Sequence, residues 1–97
     1  MTTPRTVIWS ALARTTYLNV LRYILEHWSE VEAIQFDTKV ESLISKLRTY
    51  HQLCPPSRLK KGVRRCVISA HTSLVYKIKG HEIELITFLD NRGNPSY

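Results

Sequence analysis

From Ala11 onward, hydrophobic residues change their spacing across the segment Cys54-Pro55-Pro56-Ser57. Before it the repeat is helical. Tyr17, Leu21, Ile24 and Trp28 recur at three- and four-residue steps, with Leu18, Val20 and Leu25 beside them. That spacing predicts an apolar stripe on a helix running from Ala11 to about His27, with Ser10 as its N-cap. Ala33, Phe36, Val40, Leu43, Leu47 and Tyr50 draw a second stripe, with Ile44 alongside. Between them Ser29-Glu30-Val31-Glu32 fits a capping box, in which the Ser29 hydroxyl accepts from the Glu32 amide. Glu30 and Glu32 also suit the positive end of a helix dipole. Only a residue or two separates the stripes, so the helices must form an antiparallel hairpin. Pro55 and Pro56 then close the helical region, since neither has an N–H to donate.

After Gly62 the period is two. Arg64 to Ser69 reads as a strand. In the next segment Leu74, Tyr76 and Ile78 alternate with Val75, Lys77 and Lys79. Gly80-His81 fits a two-residue hairpin turn. The last strand then places Ile83, Leu85, Thr87 and Leu89 on one side and Glu84, Ile86 and Phe88 on the other. Thr6 to Ser10, β-branched and aromatic, is a strand at the start. The order is β-α-α-β-β-β. Both layers have an apolar side to bury, which predicts an α+β fold: a helix hairpin packed on one face of a mostly antiparallel sheet.

The 97 residues and 43% hydrophobic content fit one globular domain, residues 1–97. No apolar run nears the roughly 20 residues of a membrane-spanning helix. The opening MTTPRTVIWS has no secretory apolar core. The expectation is a cytoplasmic protein without a membrane partner. Cys54 and Cys66 lack zinc-ligand spacing, and small secreted scaffolds usually carry two bridges or more. Both are therefore expected as thiols, Cys66 in the core, and no metal or cofactor is expected.

Charge is segregated. Glu26, Glu30, Glu32, Asp37 and Glu41 are five of the eight acids, and none occurs from Ser42 to His81. That window holds nine Lys and Arg, within a net charge of +6. A cationic half of this kind suits a polyanion or an acidic protein surface; as a solvated face it needs no partner.

The segments LEHWSEVEA (25–33), GVRRCVIS (62–69) and LVYKIKGHEIELITFLDNR (74–92), with a closing Asn94-Pro95, resemble the RelE/ParE superfamily of type II toxin–antitoxin toxins. The DNRGNP ending is most similar to ParE-type or plasmid-stabilisation toxins. The resemblance implies a compact toxin neutralised by a cognate antitoxin. It leaves two targets open: the ribosome with its messenger RNA, cut by RelE-like members, and DNA gyrase, poisoned by ParE-like ones.

Metal-free RNA cleavage needs a proton acceptor for the 2′-hydroxyl, cations around the phosphorane and a donor for the leaving oxygen. Arginine suits the second task, because its fork holds two phosphate oxygens. Carried onto this chain, the resemblance makes Arg65 the strand arginine, with Arg64 its register alternative, and Arg92 the basic residue after the last strand. His71 and Tyr97 complete a catalytic set if the protein is a ribonuclease. Lys60, Lys61, Arg64, Arg65, Lys77, Lys79 and Arg92 are the candidates for binding nucleic acid or another target. Leu21, Ile24, Leu43 and Leu47, on the helix stripes, are the candidates for antitoxin docking.

Each residue also has a plain structural reading. Arg64 and Arg65 suit a sheet edge guarded against pairing. His71 and His81 suit solvated turns, and Trp9, Trp28 and Tyr76 suit packing. No carboxylate lies in the basic segment to act as a base, which favours the gyrase-directed reading over the ribonuclease one. A third reading is a non-toxic homologue that only binds a partner. The catalytic and binding expectations share one geometry: helices on one sheet face, with Arg65 and Arg92 in a common concavity.

Overall fold

The computed structural model describes residues 3–93. The elements are β1 (Thr6–Trp9), α1 (Ala11–His27), α2 (Glu30–Thr49), β2 (Arg64–Val67), β3 (Thr72–Lys79) and β4 (Glu82–Asp90). Both predicted N-caps form. Ser10 Oγ accepts from the Ala13 N–H at 2.9 Å and Ser29 Oγ from the Glu32 N–H at 3.2 Å. Each satisfies one of the amides that a helix start leaves unpaired. The expected α+β order therefore holds, with two helices on a four-stranded sheet.

The strand order is β1-β4-β3-β2. β4 pairs antiparallel with β3, and β3 antiparallel with β2; β1 lies parallel to β4 at the edge. Lys79 opposes Glu82 across the Gly80-His81 turn, where Gly80 supplies the positive φ of 58°. The helices bury Ala13, Ile24, Ala33, Phe36, Val40 and Leu47 against Cys66, Leu74, Tyr76, Ile83, Leu85 and Phe88. Each stripe is narrower than its spacing suggests: Leu18, Leu25 and Tyr50 remain exposed. The Tyr76 ring is fully enclosed, and its hydroxyl donates to the His51 carbonyl at 2.7 Å. Burial pushes that phenol above its ordinary pKa.

The regular alternation read along β4 fails after Leu85. Tyr76 pairs with Leu85 and Val75 with Thr87, so Ile86 has no opposite number. This β-bulge resets the faces and turns Phe88 toward the helices with Ile83 and Leu85. Helix α1 satisfies polar groups at the irregularity. Ser10 Oγ donates to the Ile86 carbonyl at 2.8 Å, and the Phe88 N–H donates to Thr16 Oγ1 at 2.9 Å. Phe88 thereby joins an aromatic cluster with Trp9 and Tyr17, at centroid distances of 5.8 and 5.2 Å.

The two cysteines are joined, contrary to the thiol expectation. Cys54 and Cys66 form a disulfide with Cα atoms 5.2 Å apart. Their sequence spacing gave no sign of it, because the chain doubles back between them. Ser57 N–H donates to the Val63 carbonyl at 2.9 Å and Arg65 N–H to that of Pro55 at 3.1 Å. These bonds lay residues 55–57 along the outer edge of β2. Among the described residues no helix is long and apolar enough to cross a membrane.

Candidate functional site

The helix hairpin and the end of the sheet enclose a cleft of about 740 Å³. Val20, Tyr23 and Ile24 of α1 form one wall, with Trp28 at the helix turn; Phe36 and Lys39 of α2 form another. The floor is His71 and Thr72 at the start of β3, and Phe88 to Asp90 with Arg92 at the end of β4. The site lies where β3 begins and β4 runs out.

Aromatic rings line the rim. Tyr23 stacks on His27 at 4.2 Å, and its edge meets Trp28 at 6.4 Å. Trp28 lies 5.9 Å from His71 and is half exposed. The His71 Nδ1 is buried, with no hydrogen-bond partner among the described residues. Its backbone is fixed: the N–H donates to Ser69 Oγ at 3.3 Å and the carbonyl accepts from the Asn91 N–H at 2.8 Å.

Arg92 is held by a near neighbour. Its Nε donates to Asp90 Oδ1 at 3.1 Å and its Nη2 to Oδ2 at 3.0 Å, a two-pronged pair. The Arg92 backbone N–H adds a third bond to Oδ1 at 2.8 Å. The Arg92 side chain first, then this N–H, hold the Asp90 carboxyl down at about 2. In turn Asp90, and secondarily the Tyr23 hydroxyl, push the Arg92 guanidinium up. The pair is open to water, so screening limits its strength.

Of the residues nominated from sequence, the cleft brings together His71, Arg92 and Ile24. Arg65 does not line it. Its Nη2 donates to Asn91 Oδ1 at 2.8 Å, and the residue pairs across the sheet with Val75. Arg92 lines the cleft and Arg65 does not, although Asn91, which Arg65 bonds, directly precedes Arg92 in sequence. The reason is the pleat: Cys66 points into the core, so Arg65, beside it, faces the other side. Arg64 shares the Cys66 side and reaches the Cys54 carbonyl with Nη1 at 2.6 Å. Lys60 and Lys61 lie in the loop before β2, outside the cleft. Lys77 and Lys79 stand opposite Glu84 and Glu82, so that sheet face carries mixed charge. Tyr97 lies outside the described residues. Of the antitoxin candidates, Leu47 is fully enclosed, and Leu21 and Leu43 pack against the core.

Two residues escaped the sequence reading. Asn91 accepts from Arg65 and from Ser73 Oγ, the latter at 2.5 Å, while its Nδ2 donates to the Ser69 and Ala70 carbonyls at 3.1 and 3.3 Å. The signal was an amide placed just where an apolar strand stops; it was read only as turn composition. Tyr23 was passed over because it falls off the helix stripe, which is the reason it faces the cleft rim.

A helix hairpin on one face of a β1-β4-β3-β2 sheet is the fold of the RelE/ParE superfamily of toxins. The chain belongs to one branch of it: residues 7–95 match the family of the ParE toxin of type II toxin–antitoxin systems, parDE. Solved structures agree on the fold. A chain of the chromosomal ParDE system from Pseudomonas aeruginosa superposes with a TM-score of 0.76 at 14% identity, covering 92% of this chain and 98% of that one. The Mycobacterium tuberculosis RelBE2 toxin–antitoxin complex gives 0.62 at 17% identity, with 91% and 99% covered. The Escherichia coli DinJ–YafQ complex gives 0.60 at 14%, with 90% and 92% covered. No curated protein sequence matches the chain.

Proposed function

We propose that this toxin arrests growth by acting on DNA gyrase, and that a cognate antitoxin neutralises it. The observation that carries the reading is the engagement of Arg92, the arginine of the cleft, by the Asp90 carboxylate. Arg65 is engaged by Asn91 and does not line the cleft, while Arg92 within it is paired with Asp90. Stabilising a phosphorane calls for cations free to meet the phosphate, and the Arg92 fork is already occupied by a carboxylate. The match to the ParE family supports the same branch. The antitoxin reading rests on the cleft and on structural relatives that are toxin–antitoxin complexes. The half-exposed Trp28 and the apolar wall of Val20, Ile24 and Phe36 suit an amphipathic segment.

The test is a gyrase reaction on supercoiled plasmid with purified protein. Linear plasmid recovered after protein digestion supports the reading; unimpaired supercoiling overturns it. The ribonuclease reading keeps one observation in its favour, since His71 and Arg92 do share the cleft. It requires cleavage of translated messages on induction, lost on Arg92→Ala.

A further inference from the structure

We propose that the Cys54–Cys66 disulfide is a redox-controlled clamp on the basic loop between Pro55 and Val63. The bond does not join two core elements. It joins the descent from α2 to an edge strand of four residues, across 12 positions of sequence. That stretch carries Arg58, Lys60, Lys61, Arg64 and Arg65, the densest cationic run of the chain.

The other ties between the two sides of the loop are local hydrogen bonds. Among the described residues they include the Ser57–Val63 and Pro55–Arg65 backbone bonds and the Arg64 Nη1 bonds to the Cys54 and Gln52 carbonyls. These bonds require residues 52–57 to be beside residues 63–65 already, which is what the disulfide enforces. A covalent link between two chain segments confines the ensemble of the loop it closes. The remaining core relies on the helix–sheet apolar cluster, to which this stretch contributes its two sulfurs. Loss of the bond therefore loosens the loop and uncovers the edge of β2, while the helix hairpin and the β3–β4 hairpin stay packed.

The switching chemistry is thiol–disulfide exchange with a dithiol reductant. One reductant thiolate attacks one sulfur of the bond, forming a mixed disulfide and releasing the other cysteine. The second reductant thiolate then displaces the first cysteine. Two electrons pass to the protein, the dithiol becomes a disulfide, and its two protons end on Cys54 and Cys66. Both cysteines are buried, so attack follows a local opening of the loop. Oxidised, the protein holds its loop cations as a fixed array along one sheet edge; reduced, it presents the same charges on a mobile segment.

The test compares the oxidised full chain, the same chain in dithiothreitol, and a Cys54→Ala/Cys66→Ala variant. Hydrogen exchange is followed by segment, and trypsin cleavage after Arg58, Lys60 and Lys61 is timed. Reduction is expected to speed both by about tenfold or more in residues 54–66, with β3 and β4 unchanged. The variant should match the reduced protein and ignore dithiothreitol. If the variant does not fold, the reduced wild-type chain carries the comparison alone. Equal rates in both redox states overturn the proposal, as does acceleration spread equally through β3 and β4, which marks a global staple.

Discussion

The Arg65 guanidinium and the Asn91 side-chain amide form one hydrogen-bonded unit, Nη2 to Oδ1 at 2.8 Å. Through the rest of the Asn91 amide that unit also holds Ser73 on β3 and the carbonyls of Ser69 and Ala70. One short side chain thus ties β2, β3 and their connecting turn to the end of β4. It fixes the backbone on which His71 and Arg92 stand, without lining the cleft itself.

Asn91→Ala removes every one of these bonds and leaves Ser73, which is fully buried, without its acceptor. The expected cost is about 2 kcal/mol, the scale for stranding buried polar groups. Asn91→Asp keeps the acceptor for Arg65 and Ser73 but loses the two donors, so it should fall between. Urea denaturation midpoints order the three proteins. Equal midpoints for wild type and Asn91→Ala would show that the unit is idle.

Asp90 should titrate near 2 rather than at its ordinary 3.8. The depression means the folded chain favours the carboxylate. Its contribution to stability is present above the unfolded pKa and is lost as pH falls from about 4 through about 2. A carboxyl carbon NMR titration reads this directly. In Arg92→Ala the main cause is gone, and the midpoint should move up toward 3.8. A midpoint unmoved by that substitution would place the cause elsewhere.

The helix hairpin was legible in the sequence because its signals are local. Ser10 and Ser29 cap the residues three ahead of them, and a stripe such as Phe36, Val40 and Leu47 repeats by helix geometry alone. What failed depended on distant partners. Strict alternation through Phe88 assumes an unbroken ladder, whereas the bulge at Ile86 is accommodated by Ser10 and Thr16, more than 70 residues away in sequence. The disulfide was missed for the same reason, since spacing does not report a chain that doubles back. Of the site, Arg92 and His71 could be named from their positions after β4 and before β3. The pairing of Arg92 with Asp90 is a side-chain choice that no period encodes.

Phe88→Ala tests the bulge. If Phe88 faces the helices beside Trp9 and Tyr17, truncation opens a core cavity and should cost about 3 kcal/mol or more. Leu89→Ala, at the more exposed neighbouring position, should cost about 1 kcal/mol. An uninterrupted alternation predicts the reverse order. Thermal and urea unfolding of the two variants decide between the registers.

Trp28 stands half exposed at the cleft rim, against Tyr23 and His71. Little of its ring is spent on the fold, so Trp28→Ala should lower stability by about 1 kcal/mol or less. If the cleft receives the antitoxin, the same ring becomes a buried anchor, and its loss should weaken binding by about 2 kcal/mol, roughly thirtyfold in Kd. The contrast matters more than either number, because a merely structural tryptophan would show the opposite split. Leu18→Ala supplies the control: it is also exposed on α1 but does not line the cleft. Calorimetric titration of each variant with the purified antitoxin, beside its unfolding curve, makes the measurement. Unchanged affinity in Trp28→Ala would move the antitoxin off this cleft.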